Sequence, residues 1–226
     1  MKLQRPSLAK TQLTVDVVVF TLKDDRLQVL LVRRADKPFA GHLSLPGGFV
    51  WENETAHETA ERILKDKAGV GSVYLEQLYT FDALQRDPRG RVVSVAHFAL
   101  VPFERLQIES TDQTQEPALY EVSEVSGLAF DHDAILGYAV KRLRSKLGYT
   151  NSAYSLLPAQ FTFYQLQRLY EAVLGRELDK RNFRKKFMSL GLIELTGELT
   201  EGARHRPAQY YRFINTSPME LPEPAF

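Results

Sequence analysis

The chain contains no cysteine, and no apolar run approaches the roughly 20 residues that a membrane-spanning helix needs. The absence of cysteine excludes a disulfide framework, a zinc site built on thiolates and a cysteine nucleophile. The first ten residues, MKLQRPSLAK, lack the apolar centre of a signal peptide. The net charge of +1 favours neither acidic nor basic partners. These absences predict a cytoplasmic protein that does not enter the membrane.

The 226 residues have an ordinary globular composition and suffice for one large domain or two modest ones. Residues 14–22 and 27–32 are rich in β-branched and apolar side chains and predict a β-hairpin. Residues 73–81 and 92–101 predict two further strands, and residues 104–118 form a polar insertion without periodicity.

The stretch from Gly47 to Val70 is the most informative part of the chain. Thr55 followed by Glu58 predicts a capped helix that ends at Gly69. The two glycines at 47 and 48 let the backbone approach a phosphate group closely. Glu54 and Arg62 predict an internal ion pair that fixes the loop before the helix.

This stretch resembles the Nudix box, in which Gly48, Glu54, Arg62 and Gly69 match the motif. The resemblance implies an α+β fold, a Nudix-like α/β/α sandwich with a mixed sheet and a nucleotide pocket. A hydrolase of this family needs a cluster of carboxylates on the helix to hold magnesium. Here three of those positions are Ile63, Asp66 and Lys67, and an ammonium group repels a metal ion. We therefore expect no metal site and no catalytic residues.

Three alternatives remain open at this point. In the first, the pocket is a sensor in which Lys67 supplies a fixed positive charge. In the second, Glu58 and Glu61 serve as relocated metal ligands, and the protein is a Nudix hydrolase acting on ADP-ribose. In the third, neither pocket nor helix is used, and the chain is a scaffold for other proteins.

The ligand-binding candidates surround the predicted glycine loop. The end of the first hairpin should lie near this loop and places two arginines there. An aromatic side chain at position 39 is a candidate for stacking on adenine. The run RDPRGRVVSV, from residue 86, resembles the corresponding loop and strand of Nudix proteins that handle ADP-ribose. The candidates are Arg33, Arg34, Phe39, Gly47, Gly48, Lys67 and Arg86.

The second half of the chain predicts helix, helix and hairpin. Asp131 is predicted to cap a helix over residues 132–147, which Gly148 breaks. Residues 149–158 are rich in small and turn-forming side chains and predict a joint, so we expect a Nudix-like domain at 1–149 and a second domain at 150–226.

Two helix starts are predicted in this second domain. Thr162 and Gln165 form a capping-box pattern for a helix that Gly175 ends, and Asp179 caps a helix over residues 180–190. Residues 192–195 and 209–214 predict two strands. The outline is that of a winged helix-turn-helix.

The second of these helices carries residue types that contact DNA. Its apolar positions face a core, and the opposite side is basic. A solvated basic helix or a protein-docking surface has the same composition, but the position before a basic hairpin favours DNA. The DNA-binding candidates are Arg181, Asn182, Lys185, Lys186 and Ser189 on the helix and Arg204 and Arg206 in the hairpin loop.

Together the two halves resemble the NrtR family of Nudix-related transcription regulators, above all in FTFYQLQRLYEAVLGRELDKRNFRKKF. The resemblance implies a homodimeric repressor of genes for NAD biosynthesis or NAD precursors. It implies ADP-ribose or a related NAD metabolite as an effector rather than a cofactor, and double-stranded operator DNA as the partner.

Overall fold

The computed structural model describes residues 10–108, 115–200 and 207–221. Its N-terminal part contains, in chain order, β1 (Gln12–Lys23), β2 (Arg26–Arg33), β3 (Leu43–Ser44), β4 (Gly47–Phe49), α1 (Ala56–Ala68), β5 (Tyr74–Phe81), β6 (Val92–Leu100), β7 (Gln115–Glu121) and α2 (His132–Tyr149). Its C-terminal part contains a 3-10 turn (Ser152–Ser155), β8 (Phe161–Thr162), α3 (Phe163–Leu174), α4 (Lys180–Ser189), β9 (Ile193–Leu199) and β10 (Gln209–Phe213).

The N-terminal strands form one mixed sheet in the order β3-β2-β1-β6-β5. β1 and β6 are parallel, whereas β1 pairs with β2 and β4 in the antiparallel direction. β7 pairs antiparallel with β2. The expected mixed sheet is therefore confirmed.

Alternate residues of β1 point to opposite faces of this sheet, as the two-residue period of a strand requires. One face of β1, with Val17, packs in a cluster that includes Ile63 of α1. The other face, with Phe20, packs in a cluster that includes Ile135 of α2. The sheet lies between the two helices, which is the predicted α/β/α sandwich.

The predicted ends of α1 are confirmed. The Thr55 hydroxyl accepts from the backbone N–H of Glu58, and the Glu58 carboxylate accepts from the backbone N–H of Thr55, which completes a capping box. Gly69 ends the helix with a left-handed φ of 63°.

Three details of the N-terminal prediction were wrong. The polar insertion includes the start of β7, because backbone hydrogen bonds to β2 form a strand where side-chain periodicity is absent. Asp131 stands before α2, but its carboxylate makes no cap hydrogen bond and instead pairs with Arg86. Gly148 does not end α2, which runs on to Tyr149.

The C-terminal part has the winged helix-turn-helix arrangement. A three-stranded sheet with the order β8-β10-β9 packs beside α3 and α4. The capping box of Thr162 and Gln165 and the left-handed Gly175 define α3. The Asp179 side chain accepts from the backbone N–H of Asn182 and caps α4. The fold predicted for this half is confirmed.

The two halves share one apolar core. The same cluster of buried residues contains Phe20 and Ile135 from the first half and Leu169 and Phe187 from the second. The segment predicted as a joint is packed, since Ala153 is fully buried. No helix within the described ranges is both long and apolar enough to cross a bilayer.

Candidate functional site

A cavity of about 640 Å³ opens where β1, the end of β2 and the β3–β4 turn meet the loop that precedes β6. Among the described residues, five cationic and three anionic side chains line it. The cations are Arg33, Arg34, Lys67, Arg86 and Arg89, and the anions are Asp16, Asp36 and Asp87. The lining therefore has an excess of positive charge, which suits a ligand with about two negative charges.

A buried ionic network forms the floor of the cavity. The Arg86 guanidinium lies 2.7 Å from an Asp131 carboxylate oxygen and 3.3 Å from an Asp16 carboxylate oxygen. The Ser94 hydroxyl donates to Asp16 at 2.6 Å. Because both Arg86 and Asp16 are almost inaccessible to solvent, each needs the other to offset its loss of hydration.

His132 completes the floor in its neutral form. Its Nδ1 accepts a hydrogen bond from the backbone N–H of Leu45 at 2.9 Å, so the ring proton is on Nε2, which lies 3.4 Å from Asp16. Burial lowers the pKa of His132 more than the nearby carboxylates raise it. This residue therefore orients the β3–β4 turn and adds no charge near neutral pH.

Two arginines lie close to Phe130 in one wall of the cavity. The Arg34 guanidinium lies 4.7 Å and that of Arg89 5.6 Å from the centre of the Phe130 ring. Burial, and then repulsion from Arg89, lower the pKa of Arg34. Asp87, 2.6 Å from Arg89, offsets part of this positive charge. An anion between the two guanidinium groups would relieve their repulsion.

The remaining predicted ligand residues differ in position. Arg33 lines the cavity while its guanidinium donates to the backbone oxygen of Gly41 at 2.7 Å. Lys67 reaches the cavity from α1, and burial lowers its pKa. Phe39 lies outside the described lining, with its ring 4.9 Å from that of Phe130. The aromatic side chains that do line the cavity are Phe49 and Phe130.

The two glycines of the loop differ in whether the structure leaves space for a larger side chain. A Cβ atom on Gly47 would lie 2.3 Å from Oδ1 of Asp16 and 2.9 Å from the backbone oxygen of Val15. A Cβ atom on Gly48 would meet nothing closer than Cδ1 of Ile63 at 3.9 Å. Gly47 is therefore required by the floor of the cavity itself, independently of any ligand.

The predicted ion pair beside the cavity is confirmed. The Arg62 guanidinium donates to both Glu54 carboxylate oxygens at 2.8 Å, and these bonds lower the pKa of Glu54 to about 2. The Trp51 ring covers Arg62, whose guanidinium carbon lies 3.7 Å from the ring centre. These contacts fix the loop between β4 and α1.

The glutamates considered as substitute metal ligands make other contacts. Glu58 is held in the capping box by Thr55, and Glu61 lies 3.8 Å from His57. Ile63 is buried in the core rather than facing the cavity. Within the ranges that the structure covers, no group of three histidine or acidic side chains has an arrangement that could hold a metal ion.

The helix predicted to contact DNA presents a basic surface. Phe183 and Phe187 are buried on one side of α4, as predicted from their spacing. The opposite side exposes Arg181, Asn182, Lys185 and Ser189, whereas Lys186 is half-buried. The Ser189 hydroxyl already donates to the backbone oxygen of Lys186 at 2.7 Å. Arg204 and Arg206 lie outside the described residues.

Comparison with known families assigns both halves. The family model of the NUDIX domain matches residues 10–143, and that of the NrtR DNA-binding winged helix domain matches residues 153–213. The ADPR responsive transcriptional repressor NtrR of Acinetobacter baylyi is 37% identical over 214 residues, which are 93% of this chain and 85% of that protein. The chain belongs to the NrtR family.

Two solved structures support this membership of the NrtR family. NrtR of Shewanella oneidensis complexed with a 27mer DNA is 35% identical with a TM-score of 0.79, and the match covers 89% of this chain and 93% of that one. The Nudix domain of the same protein complexed with ADP ribose is 38% identical with a TM-score of 0.55, over 60% of this chain and 90% of that one.

Several residues of the NrtR cavity were missing from the sequence prediction. Asp16 lies within an apolar strand, where a single acidic side chain among buried neighbours was the available signal. Arg89 lies in the same loop as Arg86, before β6, so the run of arginines in this loop was the available signal. Phe130 and His132 come from the chain just before and within α2, and nothing local in sequence links them to the glycine loop.

Proposed function

We propose that this protein is a transcriptional repressor whose affinity for DNA is lowered by ADP-ribose bound in the Nudix cavity. The observation that carries the proposal is that one chain joins a cationic cavity to a winged helix with an exposed basic face. The repressor of Acinetobacter baylyi, which is similar over most of its length, is named as responsive to ADPR.

The diphosphate of the ligand binds between the cationic side chains of the cavity. Arg34 and Arg89, which both lie near the Phe130 ring, repel each other, and a diphosphate offsets both charges. The Gly48 backbone adds room for close approach, since even a Cβ atom there would meet nothing closer than Cδ1 of Ile63 at 3.9 Å. An aromatic surface for adenine is available on Phe49, which is exposed and lines the cavity.

Lys67 contributes a positive charge where Nudix hydrolases hold metal. The test is calorimetry with ADP-ribose on Lys67→Glu, for which we expect at least about tenfold weaker binding because an attraction becomes a repulsion. Lys65→Glu is the matched control, because Lys65 is exposed on the same helix outside the cavity lining. Equal affinity of the two variants would exclude this role for Lys67.

The basic face of α4 enters the major groove. Arg181 and Lys185 contact phosphates or guanine, and Asn182 contacts adenine, as these side chains do in known complexes. Lys186 and the hairpin-loop residues Arg204 and Arg206 add phosphate contacts. The Ser189 hydroxyl is engaged within the helix and contributes least.

A homodimer suits this mode of recognition. Two winged helices about 34 Å apart read a palindromic operator on one side of the duplex. The regulated genes belong to NAD biosynthesis or NAD-precursor metabolism, and the protein acts in the cytoplasm. The shared apolar core of the two halves gives a ligand in one half a mechanical route to the other.

A Nudix hydrolase is the second candidate, favoured by the retained Glu54 and Arg62. Incubation with ADP-ribose and magnesium distinguishes the two functions. Release of AMP at about one per second or faster would replace the repressor assignment with an enzyme. We expect no such turnover, because Glu58 is held in the helix cap.

A gel-shift experiment tests the proposed function directly. The full chain is mixed with DNA from upstream of NAD-metabolism genes, with and without ADP-ribose. We expect a shifted band that ADP-ribose removes. DNA that never shifts, or a shift that ADP-ribose leaves unchanged, would contradict the proposal.

A further inference from the structure

The turn between β1 and β2 reaches the winged helix. Asp24 and Asp25 have left-handed φ values of 51° and 60°, as a tight two-residue hairpin turn requires. This geometry directs the Asp25 carboxylate to α3, where Oδ2 accepts from the Tyr164 hydroxyl at 3.1 Å and from Nε of Arg168 at 3.2 Å. The hairpin thus holds α3 near its first two turns.

A second contact holds the other end of α3. Nε of Arg144, in α2, donates to the backbone oxygen of Val173 at 2.8 Å. Val173 is in the last turn of α3, where carbonyl groups lack partners within the helix. Asp25 and Arg144 therefore bracket α3 from two different elements of the Nudix domain.

The opposite ends of both elements form the cavity. Asp16 of β1 and Arg33 of β2 line the cavity at one end of the hairpin, and the turn lies about 30 Å away along the strand. His132 begins α2 at the cavity floor, and Arg144 lies about 18 Å further along this helix. Each element therefore runs from the cavity to α3.

α3 in turn fixes the helix that faces DNA. The Phe163 ring centre lies 5.6 Å from that of Phe183, and the Tyr170 ring centre lies 5.6 Å from that of Phe187. Aromatic rings in a packed core have discrete arrangements, so α4 follows a movement of α3 as one body.

We propose that the β1–β2 hairpin and α2 transmit occupancy of the cavity to the winged helix, and that Asp25 and Arg144 are the positioning residues at the two points of transfer. The inference rests on the proposed function and adds the route of its regulation. Beside these contacts a crevice of about 660 Å³ separates α3 from α2 and the hairpin. The crevice leaves space for α3 to shift.

The contacts of Asp25 orient α3 and contribute little to the stability of the fold. Asp25 and Arg168 are each about one-third exposed, at 36%, and exposed ion pairs contribute little to folding. A contact of this kind acts on regulation when it is made differently in the ligand-bound and DNA-bound states. Breaking it should therefore change the response to the ligand more than it changes either binding step alone.

The test compares Asp25→Asn with Asp24→Asn in the full chain. Both changes remove one negative charge from the same turn, and asparagine tolerates the left-handed conformation. The Asp24 side chain makes no hydrogen bond or ion pair to any described residue. Fluorescence anisotropy gives the DNA dissociation constant with and without saturating ADP-ribose, and calorimetry gives the affinity for ADP-ribose.

We expect ADP-ribose to raise the DNA dissociation constant of Asp24→Asn by the same factor as that of the wild type. For Asp25→Asn this factor should be at least about threefold smaller. Affinity for ADP-ribose should stay unchanged in both variants, because Asp25 is outside the cavity lining. Tyr164→Phe removes one bond from the other side and should shift the response in the same direction by a smaller factor.

The outcomes separate the two proposals. A wild type that binds DNA equally with and without ADP-ribose would refute the proposed function itself. A wild type that responds, with Asp25→Asn and Tyr164→Phe responding as fully as Asp24→Asn, would overturn the coupling route and leave the repressor assignment intact.

Discussion

Replacing Gly47 with alanine should disrupt the floor of the cavity. The new Cβ atom would lie 2.3 Å from Oδ1 of Asp16 and 2.9 Å from the Val15 carbonyl oxygen. Neither atom can retreat freely, since Asp16 is bonded to Ser94 and Val15 belongs to a central strand. β4 must therefore move away from β1, with a cost of about 1–3 kcal/mol for overpacking.

For a chain of this length the cost corresponds to a fall of about 2–12 °C in the midpoint of thermal unfolding. Gly48→Ala is the matched control, because its Cβ atom meets only Ile63, at 3.9 Å, and the midpoint should fall by less than about 2 °C. Differential scanning calorimetry measures both. Equal midpoints for the two variants would refute the steric explanation of the glycine at position 47.

Three further predictions concern the ion pairs and the basic helix. Glu54 has a lowered pKa of about 2, so the stability that it contributes is present above about pH 4.5 and lost as the pH falls towards 2. Glu54→Gln should therefore unfold at a lower temperature at pH 7 and converge with the wild type in that acidic range. Arg86→Ala leaves Asp16 buried without its cation and should lower the free energy of unfolding by about 3–5 kcal/mol in urea titrations. Lys185→Gln should reduce the slope of log affinity for DNA against log salt by about one.

Local signals in the sequence predicted the ends of α1 and α3 correctly. A capping box needs only residues three positions apart, so Thr55 with Glu58 and Thr162 with Gln165 were readable without any tertiary information. The pair of Glu54 and Arg62 spans one loop and was also accessible.

Contacts between distant parts of the chain could not be predicted from the sequence. Asp131 reads as a helix cap because it precedes an apolar periodic run, yet its partner Arg86 is 45 residues away. Asp16 is surrounded in sequence by apolar residues, and its partners come from β6, the loop before it and α2. Ile63 was recognised as a lost ligand, but its place in the core follows only from the packing of α1 on the sheet.

The residues that line the cavity likewise divide into those that the sequence predicted and those that it did not. Arg33 and Arg34 were predicted because the hairpin should end near the glycine loop, and Lys67 because it stands at a metal-ligand position of the Nudix box. All three line the cavity. Phe39 was predicted as an aromatic side chain for stacking on adenine, whereas the structure brings Phe49 and Phe130 to the lining instead. Which of two aromatic side chains faces a cavity depends on the backbone path of its loop, and composition does not encode that path.

Fluorescence anisotropy of operator DNA, titrated with ADP-ribose in the presence of EDTA, tests the central claim most directly. The cationic lining should bind the ligand without a divalent metal, so we predict that ADP-ribose releases the DNA and is recovered intact. Release that requires magnesium and is accompanied by AMP would contradict the account, because the response would then depend on hydrolysis rather than on binding.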